Sequence, residues 1–328
     1  MLTILGFPWL ETLSAVALAG SLLIYVLLDG TDLGAGILTG FQRSPQARQD
    51  INLSLLPVWD GNETWLVLAA GGLLGLFPLA YAIVLSALYI PLFVMMLALV
   101  VRGMAIEFRP HAPRLFDAML VSGSLLTALA QGVVVGALMQ GIATDGQQFT
   151  GSAFAWLRPF PLYCGVALAL GYAWLGAGWL VWRMTGELRT WARRVLPWLA
   201  LIGLVMIAGL LVWCAQLQES WRQHLLNPFL WGPSLAVALA GMALFIVGLR
   251  KGRDFLPLLG VLVMVSVAFC LLAFTLFPWI VPPHLTLSQA AAPPATQKFL
   301  LISYGLLVPV TLLYNTWGFR LFSGKIGG

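Results

Sequence analysis

Charge is what this chain has least of. Only 9% of its 328 residues are Asp, Glu, Lys or Arg, against about a quarter in an ordinary soluble domain. With 60% hydrophobic residues and a mean hydropathy of +0.93, a water-soluble fold is excluded. Apolar stretches of about 20 residues recur to the end, the length of a helical crossing, whereas the alternating ten-residue strands of a β-barrel are missing. The chain therefore reads as an all-α integral membrane protein with one polytopic membrane domain over 1–328 and no soluble domain between spans.

Cysteine and histidine are nearly as scarce. Cys164, Cys214 and Cys270 fall singly in separate apolar stretches, without the paired spacing of a metal site, and read as small apolar residues. His111, His224 and His284 all fall in predicted loops, so no span offers the histidine with which membrane redox proteins hold haem. Methionines such as Met95 and Met96 read as packing. Phosphate loops, dinucleotide fingerprints and nucleophile elbows are absent as well. Chemistry is thereby confined to proton or ion movement, or to a partner, and this chain is expected to bind no haem or metal of its own.

No Lys or Arg precedes Arg43, so the apolar segment from about Trp9 to Leu28 lacks the basic start of a signal peptide and reads as a retained first helix. Hydropathy predicts about nine spans, near 9–39, 51–75, 77–101, 116–142, 160–184, 195–217, 230–250, 255–280 and 299–322. The loops on one side, with the C-terminal tail, hold 14 of the 17 basic residues. By the positive-inside rule the N-terminus is then periplasmic and the C-terminus cytoplasmic. The net charge of +5 sets topology on this reading and gives no support for nucleic acid as a partner. "VPPHLTLSQAAAPPATQ", Val281 to Gln297, predicts an extended outer loop.

Against this background five acids stand out in or beside the first three spans: Asp29, Asp32, Asp60, Glu63 and Glu107. All fall in the predicted cytoplasmic half. A helix starting near Ile51 would put Asp60 roughly 14 Å along the second span. An acid at the bilayer centre costs about 2.5–3.5 kcal/mol and a Leu returns only about 0.3–0.6, so these groups should face protein, water or a partner. Asp29 and Asp32 are three apart, as are Asp60 and Glu63, so on a helix each pair shares a face. Gly30, Gly34 and Gly36 beside the first pair permit close helix contact. Two readings follow: a proton path or ion site open to the cytoplasm, or a hydrogen-bonded cluster that holds the bundle. Asp60 is assigned to the first, Asp29 and Asp32 to the second, and Glu63 stands between them. Glu107 either pairs with Arg109 at the surface or lies at the mouth of the path, Asp117 is a helix-start charge, and Trp59 fills core or packs on a ring-shaped cofactor or quinone.

Two motifs at this interval resemble a known family. "DGTDLGAGIL", Asp29 to Leu38, followed by "WDGNETWL", Trp59 to Leu66, is similar to subunit II of the cytochrome bd-type quinol oxidases. "GGLLGLFPLAYA", "LFPWIVP" and "LLVPVTLLYNTWGF" extend the resemblance over most of the chain. It implies a nine-helix accessory subunit of a bacterial inner-membrane terminal oxidase that oxidises quinol and reduces oxygen to water with cytoplasmic protons. It further implies that subunit I, its pseudo-symmetric partner, holds the quinol site, two haem b and haem d, and that a small single-helix third subunit often joins the pair, among membrane lipids. The family's proton-path aspartate falls on Asp60 with Trp59 beside it, and an acid ending the third span falls on Glu107, where "IEFR" departs from the commonest pattern. The "LDGTDLG" wording and short loops lean towards the cyanide-insensitive branch, and a quinone or lipid on this subunit stays open. The competing classes are a proton-coupled secondary transporter using the same carboxylates, which would be colourless and active alone, and a scaffold that only steadies subunit I.

Overall fold

The structure, a computed structural model, describes residues 3–4, 7–321 and 324–327. Twelve helices follow in order: α1 Trp9–Thr39, α2 Pro45–Leu55, α3 Trp59–Leu76, α4 Pro78–Phe108, α5 Pro113–Gln140, α6 Pro159–Arg183, α7 Gly186–Leu217, α8 Glu219–Leu225, α9 Pro228–Lys251, α10 Phe255–Leu276, α11 Leu287–Ala290 and α12 Pro294–Leu321. Among the described residues eight are long and apolar enough to cross a membrane: α1, α4, α5, α6, α7, α9, α10 and α12. α3 is the remaining predicted crossing. Its 18 residues open on the polar "WDGNET", which lowers its hydropathy below that of the other eight.

The second predicted span, 51–75, is not one helix. α2 starts on Pro45, with the Ser44 side chain accepting from the Ala47 amide, and stops at Leu55. Pro57 explains the stop, because it has no N–H with which to continue the helical ladder and its ring crowds the preceding turn, while Leu56 itself keeps helical dihedrals (φ −47°, ψ −41°). α3 restarts at Trp59. Asp60 therefore sits in the first turn of its helix, not nine residues into it.

α4 runs seven residues beyond the predicted 101. It is kinked at Leu88 (φ −119°, ψ 21°), three residues before Pro91, and ends only where Pro110 and Pro113 forbid continuation. This places Arg102 inside a helix rather than in a loop. α7 likewise begins at Gly186 instead of 195, so Arg189, Arg193 and Arg194 are helical. α10 ends at Leu276, short of 280, and residue 322 of the last predicted span lies outside the described residues.

The predicted extended loop 281–297 is folded. Trp279–Val281 pairs antiparallel with Leu285–Thr286, and Thr286 and Gln289 form a capping box on α11. The Ala292 amide then donates to the Leu76 carbonyl at 2.9 Å, tying this segment to the end of α3.

α6 is the centre of the bundle, with Tyr172, Trp174, Leu175, Ala177, Leu180 and Val181 almost wholly buried. Its contact with α1 is backbone on backbone. A Cβ on Gly34 would lie 1.7 Å from the Tyr172 carbonyl oxygen, and one on Gly176 2.2 Å from the Gly34 carbonyl carbon, so only glycine fits this crossing. That close approach brings the acid-bearing end of α1 into the middle of the protein.

Candidate functional site

Four helices meet around the two acidic motifs. α1 brings Asp29 and Asp32, both fully buried. α3 brings Asn62, buried, and Glu63, whose side chain stays 24% exposed. α4 brings Arg102, with no exposed surface at all. One Arg102 nitrogen, Nη2, lies 2.7 Å from Asp29 Oδ1 and 2.5 Å from Glu63 Oε1, so a single guanidinium bridges the two motifs. Asp32 is held separately, its Oδ2 accepting from Asn62 Nδ2 at 2.7 Å.

Packing explains why Arg102 points inward. A Cβ on Gly123 of α5 would lie 3.0 Å from the Arg102 amide nitrogen and 3.1 Å from its Cβ, so α5 closes over this turn of α4. A buried guanidinium cannot shed its charge and needs carboxylates around it. Further along α1, Tyr25 accepts from Gln131 Nε2 at 2.6 Å, and Gln131 Oε1 accepts from the Tyr172 hydroxyl at 2.8 Å. These three extend the polar core from α1 through α5 to α6.

Asp60 belongs to a different environment. One turn before Glu63 on the same helix, it is exposed, and so is Glu107 at the end of α4. Trp59 joins the two positions: it is half-buried against Gly103, and its indole N–H donates to Glu107 Oε1 at 3.2 Å. α12 leans on the same place, with Asn315 Oδ1 3.2 Å from where a Cβ on Gly61 would be. The structure thus leaves Asp60 and Glu107 exposed on either side of Trp59, which bonds Glu107 and precedes Asp60 in the chain, and gathers Asp29, Asp32 and Glu63 in one cluster.

One of the two readings of Glu107, and the reading of Asp117, are corrected. Glu107 does not pair with Arg109. Arg109 Nε instead donates to Asp117 Oδ1 at 2.6 Å, with Arg48 3.7 Å from the other oxygen, so Asp117 is the buried partner of a bridge rather than a simple helix-start charge. Sequence reasoning missed Arg102 because an arginine after an apolar run resembles the start of a loop. The available signal was that no proline follows Arg102 before Pro110 and that Gly103 is the one turn-type residue between them. Tyr25, Gln131 and Tyr172 offered no comparable signal, since their meeting depends on how three helices cross.

The three histidines lie on different elements. His111 follows α4 in a short 3-10 turn, His224 is in α8 with Nδ1 3.4 Å from the Thr275 carbonyl, and His284 lies between the two short strands. Among the described residues no group of three or more His, Cys, Asp and Glu side chains could hold a metal ion.

With this arrangement in view, the similarities to known proteins are decisive. The family model for cytochrome bd terminal oxidase subunit II matches residues 10–322. The chain belongs to that family. It is 28% identical to cytochrome bd-I ubiquinol oxidase subunit 2 of Escherichia coli K12, over 94% of this chain and 93% of that one. It is also 30% identical to cytochrome bd ubiquinol oxidase subunit 2 of Bacillus subtilis, over 57% of this chain and 56% of that one. A solved chain of the bd oxidase from Geobacillus thermodenitrificans shares the fold, with a TM-score of 0.72 at 11% identity over 95% of this chain and 98% of that one. As a bd oxidase subunit II, the protein is a multi-pass inner-membrane accessory component of an oxidoreductase complex.

Proposed function

We propose that this chain braces a haem-bearing subunit I and admits cytoplasmic protons to it at the Trp59–Asp60–Glu107 mouth. The observation that carries the reading is the placement of Asp60: an acid in the first turn of a membrane helix, exposed, and tied through Trp59 to a second exposed acid on α4. An acid facing lipid costs about 2.5–3.5 kcal/mol, which water or a protein partner over this surface removes. Glu63, one turn inward and partly open, extends the mouth to Arg102. Asp29 and Asp32 then serve as structural acids behind it.

On this reading the two haem b, the haem d and the quinol site belong to subunit I, where quinol is oxidised and oxygen reduced to water. A single-helix third subunit and lipids complete the assembly. This chain's own part is to hold a carboxylate where a proton can be taken from water and passed on. Replacing Asp60 by Asn should lower quinol oxidase turnover by about a hundredfold while the haem absorbance per complex stays constant. Wild-type turnover in Asp60→Asn would overturn the path. Loss of haem along with turnover would make Asp60 a structural residue instead.

A further inference from the structure

The end of the bundle that loop charge assigns to the cytoplasm carries a second concentration of charge, on helices that take no part in the acid cluster. Asp254, just before α10, is taken up by Arg189 at 2.7 and 2.9 Å, by Arg193 at 3.3 Å and by Lys325. Arg193 also donates to the Leu249 carbonyl at 2.6 Å, which fixes α7 against the end of α9. Around this knot stand four more cations, Arg194, Arg250, Lys251 and Arg253, all exposed and without a side-chain partner among the described residues. Glu187 at the start of α7, and Asp50, which lies against the tail at Gly327, form no ion pair with any of them among the described residues.

Arg194 also begins a stripe. Trp198, Leu201, Val205, Ala208 and Val212 follow it at alternating steps of four and three along α7, so they share its face, and every one is exposed. Trp198 is 68% exposed, one turn below the arginine. From Arg194 to Val205 the stripe runs about 16 Å, one leaflet's depth. Cations, then an indole, then an apolar stripe is the order in which a phospholipid presents phosphate, glycerol and acyl chain.

We propose that this corner binds a dianionic phospholipid of the cardiolipin type, its two phosphates among Arg194, Arg250, Lys251 and Arg253 and its acyl chains along the α7 stripe. Three cations flank the tight turn at Gly252, and Arg194 follows Arg193, which is bonded to Leu249 at the end of α9; four cations suit two linked phosphates better than one. Charge complementarity selects the headgroup, and the continuity of Arg194 with the stripe selects a lipid over a free phosphate.

The test uses the complex purified from its native membrane, delipidated, and titrated with tetraoleoyl cardiolipin or dioleoyl phosphatidylcholine under native mass spectrometry. The wild type should hold cardiolipin and not phosphatidylcholine. The fourfold variant R194Q/R250Q/K251Q/R253Q should bind cardiolipin at least about a hundredfold more weakly, whereas R43Q/R114Q, which removes exposed cations elsewhere at the same end, should bind it as the wild type does. Cardiolipin should also raise the unfolding temperature of the wild type but not of the fourfold variant. Equal binding of the two lipids, undiminished binding by the fourfold variant, or an equal loss in R43Q/R114Q would each overturn the proposal. If the fourfold variant fails to assemble, W198A read by the same titration decides between the same outcomes.

Discussion

The stretch "WDGNET" supplies two regions that differ in almost everything except their sequence. Asp60 and Glu63 are one turn apart on α3, yet Asp60 lies open at the surface while Glu63 reaches in to a buried arginine. The mouth, Trp59–Asp60–Glu107, has one hydrogen bond and two exposed acids. The cluster behind it has two carboxylates on one fully buried guanidinium and a third, Asp32, held beside them by Asn62. Helical spacing predicts that such acids share a face, but which acid is structural depends on what the neighbouring helix brings. For Asp29 and Glu63 that neighbour is Arg102 of α4.

The sharpest way to break the contrast is to remove that arginine. Arg102→Leu leaves Asp29 and Glu63 without a counter-charge, one of them wholly buried, and should destabilise the protein by about 3–5 kcal/mol. Thermal unfolding in detergent, or the amount of assembled protein in the membrane, reads this directly. Adding Asp29→Asn to Arg102→Leu should recover part of the loss, since the variant then buries one uncompensated charge fewer. If Arg102→Leu is as stable as the wild type, the cluster is not what holds α1, α3 and α4 together.

Asn62→Leu comes next. It withdraws the donor that Asp32 Oδ2 uses at 2.7 Å inside the same cluster, and should cost about 1–3 kcal/mol by the same unfolding measurement. Trp59→Phe removes a hydrogen bond of the same kind at the mouth, where water can replace it, and should cost no more than about 1 kcal/mol. A larger loss for Trp59→Phe than for Asn62→Leu would reverse the assignment of the two regions.

Much of this was legible in the sequence, and the gaps have a common cause. Apolar length announced the long helices, and the acids at Asp29, Asp32, Asp60, Glu63 and Glu107 stood out because an acid is costly in a membrane. The glycines of α1 foretold a close crossing, and Gly34 against Gly176 is that crossing. The cation was misread. Arg102 has the composition of a loop start and the position of a helix interior, and only α5 packing over it decides between the two. Pro57 carried its warning plainly, yet the strongly apolar run after it masked the break between α2 and α3. Composition reports the cost of a residue, whereas its partner is fixed by helix crossings several spans away in the chain.

A third carboxylate, outside the membrane, calibrates both regions. Burial alone would raise Asp254, but hydrogen bonds from Arg189 and Lys325, together with their charges, outweigh it and hold the carboxyl below the usual carboxylate range. Its folded value is thus lower than the free value of about 3.9, so the stabilisation it gives is complete above that pH and is lost as pH falls through the folded value. Lys325 is part of this contact, and the tail that carries it is laced to the α6–α7 junction, with the Ile326 amide donating to the Arg183 carbonyl at 2.8 Å. Acid should therefore free the tail before it unfolds the bundle, which carboxypeptidase release of the C-terminal residues across a pH series would show. Asp254→Asn should release the tail at neutral pH and flatten that profile. An unchanged profile in Asp254→Asn would mean that backbone pairing alone holds the tail, and that this surface knot, unlike Arg102 in the interior, adds nothing to stability.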